Sequence, residues 1–324
     1  MMAALAIGID IGGTKIEGLL VEVDRDAAIL DRRVVETPAT DAEEVTDSIV
    51  AVARDLMAGR EVRAIGVGAA GMVDLHGVMR FAPNIAWREF ALAERVERGV
   101  GLRVLVDNDA NVAAWGEYRF GAGRGFTSML LVAVGTGIGG GIVAGGKLFR
   151  GAHGFAGEIG HVIVEPNGPQ CGCGNRGCWE QMAAGRAIDR LGREAAQEQP
   201  GSLMVELAGG EPAEVRGRHV TDAAFQGDTV AIAILAEVGR RLGEGIAGLV
   251  NILDPELVVV GGGAIAAGDL LLEPARRAFI DSVEGADDRP DVPIVAAAMG
   301  NDAAAVGAAD LALAEVGRQR SLTR

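Results

Sequence analysis

The 324-residue chain has only three cysteines, and all of them fall between Cys171 and Cys178. An odd number so tightly grouped makes no disulfide framework; it reads as metal ligation in a reducing compartment, which points to the cytoplasm. Lysine and arginine are nowhere gathered into a run, and aspartate and glutamate outnumber them 45 to 30, for a formal charge of −15. A surface that binds nucleic acid or anionic lipid needs clustered cations to release counterions, so neither partner is expected. Met1 to Ile9 lacks a basic segment and meets Asp10 at once, unlike a signal peptide. Aromatic residues make up 4% of the chain, which leaves little for stacking platforms; Trp87, Trp115 and Trp179 are expected to pack. One uncharged stretch, Gly125 to Gly146, is long enough to raise the question of a membrane span. Its glycines are too dense for a stable helix, each costing about 1 kcal/mol relative to alanine. A buried strand, turn and strand fits it better.

What the chain has in plenty is apolar residues, 49%, and glycine, 49 residues, enough for about two domains of closely packed sheet. Leu5–Asp10 is an apolar run ending in an acid, Gly12-Gly13 makes a turn, and Ile16–Val23 and Ile29–Glu36 follow as strands. Asp41–Ala58 carries Val45, Ile49, Val52 and Leu56 at helical spacing behind an aspartate suited to cap it. Ala64–Ala69 and Arg103–Asp107 read as buried parallel strands, and Asp109–Phe120 as a helix. The pattern then restarts with strand Ser128–Val134, glycine turn Gly135–Gly141 and returning strand Ile142–Ala144. Helical stretches at Trp179–Gln197 and Asp228–Ile252, a strand at Leu257–Val260 and a final helix at Ala303–Val316 follow. Gly201–Arg218, rich in Gly, Glu and Pro, reads as a surface excursion. Two α/β units, each opening with strand, glycine turn and strand, look like a duplication with a cleft between. On this pattern residues 1–120 form a small N-terminal lobe and 121–302 a larger one, with helix 303–318 packing back on the first.

Four motifs stand at the ends of these strands. Asp10-Ile-Gly12-Gly13-Thr14-Lys15 gathers backbone N–H groups, a hydroxyl and an ammonium, the donors a phosphate needs, beside an acid able to hold Mg²⁺. The alternative is a plain hairpin turn. It is not a P-loop, which has its Lys before the Thr or Ser and a helix after. Gly135-Thr136-Gly137-Ile-Gly-Gly-Gly141 satisfies GxGxxG, but that dinucleotide fingerprint opens a helix, whereas strand follows here. A second phosphate-gripping hairpin is more economical. Val258-Val-Val-Gly261-Gly262-Gly263-Ala264 brings a buried strand to a helix start where a nucleotide can approach the backbone, although steric relief alone often explains such glycines. In Val106-Asp107-Asn108-Asp109-Ala110-Asn111 the acids and amides suit helix caps. They also suit a base that takes a proton from a hydroxyl attacking phosphorus, since phosphoryl transfer needs little beyond positioning, a metal and such a base.

The most specific set is Glu158-Ile-Gly-His161, Cys171-Gly-Cys173 and Cys178-Trp-Glu180. Three thiolates and one imidazole make the closed Cys₃His set of structural zinc; the alternative is unliganded cysteines beside a surface histidine. Zinc there would hold Glu158, His161 and Glu180 in fixed positions, two carboxylates and a ring nitrogen suited to vicinal hydroxyls. The alternative for both glutamates is simple solvation. His76, His153 and His219 have no such context and read as structural or exposed.

These motifs together, above all Gly-Glu158-Ile-Gly-His161 with Cys171-Gly-Cys-Gly-Asn-Arg-Gly-Cys-Trp-Glu180, resemble the ROK family (repressors, open reading frames, kinases) over nearly the whole chain. Within it the wording is most similar to the bacterial glucokinases. The resemblance implies an α/β chain with the two-lobed actin-like sugar-kinase fold, built from duplicated ribonuclease-H-like halves around an interlobe cleft. It implies Asp109 as catalytic base, and Asn84, Asn108, Asp109, Glu158, His161 and Glu180 as sugar contacts. Gly12, Gly13, Thr14, Lys15, Gly135, Thr136 and Gly137 would meet phosphates, Asp10 would serve Mg²⁺, and Gly261, Gly262 and Gly263 the adenosine. Zinc would sit on His161, Cys171, Cys173 and Cys178. Homodimers or homotetramers are common in the family. The implied reaction is ATP-dependent phosphorylation of the 6-hydroxyl of glucose, with lobe closure excluding water.

One departure is visible. A serine commonly precedes the glycine after Glu180, whereas this chain reads Ala184-Gly185, which puts one helix-start hydrogen bond in doubt. The repressors of the family carry an N-terminal helix-turn-helix domain, and a phosphate motif starting at Asp10 leaves no room for one. Alternatives within the same chemistry are a kinase for fructose, mannose or an N-acetylhexosamine, or one that uses polyphosphate. A non-catalytic sugar sensor would need neither Asp109 nor both phosphate turns, and an NAD-dependent oxidoreductase rests on the glycine fingerprints alone.

Overall fold

A computed structural model describes residues 4–322. The chain separates into two units, one made of Met1–Leu131, Gly141–Gly157 and Ala297–Arg324, the other of Val132–Gly140 and Glu158–Ala296. The first begins with β1 (Leu5–Ile11), β2 (Lys15–Glu22), β3 (Ala28–Glu36), α1 (Ala42–Met57) and β4 (Ala64–Ala69). Short strands β5 (Met72–Val73), β6 (Met79–Phe81) and β7 (Arg88–Phe90) form a small sheet of their own, followed by α2 (Leu92–Val100), β8 (Val104–Asn108) and α3 (Asp109–Phe120).

The main sheet of this unit runs β3-β2-β1-β4-β8. β1 and β2 are antiparallel across the Gly12-Gly13 turn, while β4 and β8 run parallel to β1. The uninterrupted apolar runs of β1 and β4 are explained by burial on both faces. Asp41 caps α1, its carboxylate accepting from the Glu43 and Glu44 amides at 2.8 and 3.2 Å. Helices α1 and α2 cover one face through Val45, Ile49, Leu56, Leu92 and Val96.

The other face receives α10 (Ala303–Leu322), whose Ala305, Val306 and Ala309 meet Ala6, Leu19 and Val21. That helix lies so close that a Cβ at Gly8 would stand 1.6 Å from the Ala305 carbonyl oxygen, and one at Gly66 1.9 Å from that of Ala308. The parallel register has a functional consequence. It pairs Asp10 with Gly68 and Gly68 with Asp107, then Ile11 with Ala69 and Ala69 with Asn108, so the carboxyl ends of three strands finish together. In open α/β sheets that edge is where ligands bind.

A second sheet runs β11-β10-β9-β12-β13, from β9 (Met129–Val134), β10 (Ile138–Ala144), β11 (Lys147–Leu148), β12 (Leu257–Gly261) and β13 (Ile294–Ala296). β9 and β10 pass part of their length to the second unit. The helices of that unit are α4 (Glu180–Ala183), α5 (Gly185–Glu198), α6 (Leu203–Leu207), α7 (Gly217–Phe225), α8 (Thr229–Leu253) and α9 (Asp269–Ser282). Asp228 caps α8, accepting from Val230 and Ala231 at 3.0 and 2.9 Å.

Three expectations need correcting. The second glycine turn is shorter than Gly135–Gly141, because β10 starts at Ile138. Gly141 serves close approach instead of turning: a Cβ on it would stand 2.4 Å from Ala114 Cβ in α3. The helix expected over Trp179–Gln197 breaks at Ala184, which is extended at φ −113° and ψ −178°. The 201–218 segment is no bare excursion, since Met204, Val205 and Val215 are buried and α6 and the start of α7 lie in it. Among the described residues no helix is long and apolar enough to cross a membrane.

The seat of α10 can be tested directly. Gly8→Ala is expected to lower stability by about 1–3 kcal/mol or more through overpacking. The measurement is a denaturant midpoint at unchanged slope, and an unshifted midpoint would contradict the packing described.

Candidate active site

In the first unit, β1 delivers Asp10 to a turn that is fastened from behind. Gly12 donates to the Lys15 carbonyl at 2.9 Å, and Thr37 donates its hydroxyl to the Gly12 carbonyl at 2.8 Å and its amide to the Thr14 carbonyl at 3.1 Å. Asn84 lies against this turn, its Cβ 3.2 Å from where a Cβ on Gly13 would stand. Lys15 donates to the buried Glu17 at 2.6 Å. Glu17 also pairs with Arg32, and Arg32 reaches Asp302 at 2.8 Å.

Asp109 opens α3. Asn108 caps that helix, accepting from the Ala110 and Asn111 amides at 2.9 and 3.1 Å, and its own amide donates to the Gly71 carbonyl at 3.0 Å. Beneath it, Asp107 accepts from the Asn108 amide and the Asn111 side chain at 2.8 and 2.9 Å and pairs with Arg150. Both carboxylate oxygens of Asp107 are thus engaged, while Asp109 Oδ1 accepts from the Ala110 amide at 2.9 Å.

Removal from water raises the pKa of the Asp109 carboxyl, against the opposing pull of backbone N–H groups and Asn108. The same desolvation, followed by the nearby charge of Asp109, raises Asp10 from 3.8 to about 7, with Lys15 acting in the opposite direction. Gly68 makes the proximity of the two acids possible. A Cβ there would stand 2.6 Å from Val112 Cγ2, 3.6 Å from Asp109 Cα and 3.9 Å from Asp10 Oδ1. Two carboxyls in one shielded place suit a proton acceptor and a divalent cation.

In the second unit, the Gly135-Thr136-Gly137 turn is fastened to the start of α5. Gly185 and Arg186 donate to the carbonyls of Gly135 and Thr136 at 2.9 and 3.2 Å. Ala184 supplies no side-chain cap, so these bonds from the backbone hold the helix start instead. Glu180 is buried against the same turn. Its Oε2 lies 2.2 Å from where a Cβ on Gly137 would be, and its Oε1 accepts from Gln181 at 3.0 Å and from the Cys171 thiol at 3.1 Å.

The donor atoms of His161, Cys171, Cys173 and Cys178 all lie within 4.8 Å of one another. Tetrahedral zinc with bonds of about 2.3 Å to sulfur spaces its ligands about 3.7 Å apart. The Cys173–Cys178 sulfur separation is 3.6 Å and the distance from Cys171 Sγ to His161 Nδ1 is 3.7 Å, so the set fits that ion. His161 thereby turns Nδ1 to the sulfurs, and its Nε2 lies 3.9 Å from Glu158 Oε2. At the end of β12, Gly262 takes φ +86°, and a Cβ on it would stand 2.5 Å from the Val134 carbonyl oxygen. Gly261 ends the strand and Gly263 begins a 3₁₀ turn.

The first unit thus brings together Asp10, Gly12, Gly13, Thr14, Lys15 and Asn84 around one turn, with Asn108 and Asp109 at the end of β8, across β4 from β1. The second gathers Gly135, Thr136 and Gly137 with Glu180, and Glu158 with His161 and the cysteines. Sequence reasoning missed Gly68, Thr37 and Gln181. A glycine inside a buried strand run does signal close approach, so Gly68 could have been found; nothing local marks the other two. His76 and His153 are exposed, His219 is buried and accepts from the Arg216 amide at 3.2 Å, and the three tryptophans are buried.

Comparison with known proteins gives a consistent result. A family model described as the ROK family matches residues 6–315. A glucokinase of Streptomyces coelicolor is 45% identical over 311 residues, covering 95% of this chain and 97% of that protein. An N-acetylmannosamine kinase of Escherichia coli is 34% identical over 302 residues, covering 90% and 97%. Among solved structures, a ROK family glucokinase from Streptomyces griseus in complex with glucose and AMPPNP superimposes with a TM-score of 0.86 at 46% identity, over 95% of this chain and 99% of that one. The mixed α/β architecture is that of these kinases.

The raised pKa of Asp10 has a signed consequence for the metal-free protein. Stability that its protonated form contributes is complete below about pH 4 and is lost as pH rises towards 7. Asp10→Asn is therefore expected to melt level with the parent near pH 4 and to be more stable above pH 7, by at most about 4 kcal/mol. A melting difference that stays flat across that range would contradict the assignment.

Proposed function

The chain belongs to the ROK family, and on that premise we propose that it is a glucokinase, transferring the γ-phosphoryl group of ATP to the 6-hydroxyl of glucose. The observation that carries the reading is the desolvated Asp109 at the start of α3, set beside Asp10 of the phosphate-type turn. A carboxylate whose proton affinity is raised accepts a hydroxyl proton more readily than a solvated one.

In the proposed reaction Asp109 takes the proton of the 6-hydroxyl as that oxygen attacks the γ-phosphorus in line. ADP departs with the electrons of the broken bond, and the proton passes to solvent. Backbone amides at Gly13 and Gly137, the hydroxyls of Thr14 and Thr136, and Lys15 stabilise charge spread over the phosphates, while Gly12 and Gly135 close the two turns with their own amides, each donating at 2.9 Å. Asn84, Asn108, Glu158, His161 and Glu180 grip the sugar hydroxyls, and the bare backbone of Gly261, Gly262 and Gly263 admits the adenosine. Asp10 would hold Mg²⁺, which when bound neutralises phosphate charge. The three thiols and His161 would hold zinc, which when bound supplies a rigid cross-link. Unpaired cysteines suit the cytoplasm, and the family resemblance implies a homodimer or homotetramer.

Likeness to the N-acetylmannosamine kinase favours a second reading, a kinase for another hexose. Purified protein with Mg·ATP and a panel of hexoses, followed by ADP release, separates the two; polyphosphate in place of ATP tests the donor. Glucose is expected to give the highest kcat/KM. Asp109→Asn is expected to cut kcat by about 10²–10⁴-fold while glucose affinity is largely kept. Near-normal turnover in that variant would show that the base is another residue.

A further inference from the structure

Trp179 stands between a thiol of the zinc-type set, Cys178, and Glu180, and it is 2% exposed. Its main chain joins the two halves of the loop. The Trp179 amide donates to the Val162 carbonyl at 2.8 Å, next to His161, and its carbonyl accepts from Met182 and Ala183 at 2.9 and 3.0 Å, which makes it the residue on which α4 starts. Glu180 is the first residue of that helix.

The side chain points the other way, onto α8. The indole N–H donates to the Arg241 carbonyl at 2.9 Å. One turn along, the indole lies on Gly245, where a Cβ would stand 2.1 Å from Cε2, 2.2 Å from Nε1 and 2.5 Å from Cζ2. Glycine destabilises a helix interior relative to alanine, and the seat for the indole accounts for one here. A second tether lies close by: the Arg241 guanidinium reaches Glu165 of the loop at 3.3 Å.

We propose that Trp179, seated on Gly245 and bonded to the Arg241 carbonyl, is a positioning residue for the sugar. It fixes where the Glu180 carboxylate stands, and through it the affinity for glucose and the choice among hexoses. The proposal rests on the reading of Glu180 as a sugar contact. A buried indole whose place is dictated by a glycine has one position available, and the next residue in the chain inherits it. Glu180 has equally little freedom at its other end, because its Oε2 abuts Gly137. A displacement of about 1 Å in such a group can cost up to about a hundredfold in rate or binding.

The test uses the full-length, zinc-loaded protein. Gly245→Ala forces a methyl into the indole and is expected to raise KM for glucose about tenfold, with KM for ATP and zinc content per chain unchanged. Trp179→Leu should raise KM for glucose as well, and adding Gly245→Ala to it should cost almost nothing more, since the colliding ring has gone. A role in packing alone would lower the melting temperature and leave KM in place, or give independent, multiplying effects; either outcome overturns the proposal. Glu180→Gln is measured beside these variants. If it leaves glucose KM unaltered, the reading of Glu180 fails and the proposal with it; if it raises KM while Gly245→Ala does not, the proposal alone fails. Should Gly245→Ala give no folded protein, Trp179→Phe keeps an aromatic ring without the N–H donor and is expected to raise glucose KM to a smaller extent; unchanged KM there overturns the proposal equally.

Discussion

The convergence of His161, Cys171, Cys173 and Cys178 on one point is the constraint on which the loop from Glu158 to Glu180 depends. The segment from Glu158 to Glu180 has almost no regular structure: one 3₁₀ turn and two isolated bridges, Ile163 with Cys178 and Gln170 with Arg176. Such a segment has no core of its own, and Val162, Ile163 and Val164 are even exposed. Zinc held by these four residues would replace the missing core with a cross-link. With it in place, His161 itself and the residues near the ligands, Glu158 and Glu180, would have fixed addresses.

The main sheet of the first unit relies on a different device. Three parallel strand ends finish in register, and at that edge the sequence puts acids where burial makes charge expensive. Asp107 is compensated by Arg150 and two hydrogen-bond donors; Asp109 and Asp10 are not compensated to the same degree. The imbalance raises the proton affinity of both carboxyls, which suits the roles proposed for Asp109 as base and Asp10 as cation ligand. Gly68 keeps the space between them open, and Gly8 and Gly66 on the same sheet let α10 close the far face.

Much of this was legible in the sequence because the chemistry is local. Asp10 with Gly12 to Lys15 and Asn108 with Asp109 are each written within a few residues of one another, the histidine–cysteine set lies within one short stretch from His161 to Cys178, and the residue types are demanding. Strand and helix positions such as Ala64–Ala69 and Asp109–Phe120 were legible for the same reason, since burial and periodicity are short-range signals. What escaped was non-local. The break at Ala184 depends on Gly185 and Arg186 bonding to a turn some fifty residues earlier in the chain. The order in 201–218 depends on Met204, Val205 and Val215 finding apolar partners that a Gly- and Glu-rich composition conceals. The length of the second glycine turn was overread because glycine serves close approach as often as turning, and sequence does not separate the two uses at Gly141.

If a metal-braced loop presents the sugar contacts, removing the metal must weaken sugar binding even though no metal touches the sugar. Calorimetric titration of glucose into zinc-loaded protein and into protein stripped by a chelator compares the two states without relying on turnover. The account expects at least about a tenfold loss of affinity on stripping, restored when zinc is returned. Equal affinity in both states, in protein whose metal content has been measured, would contradict it.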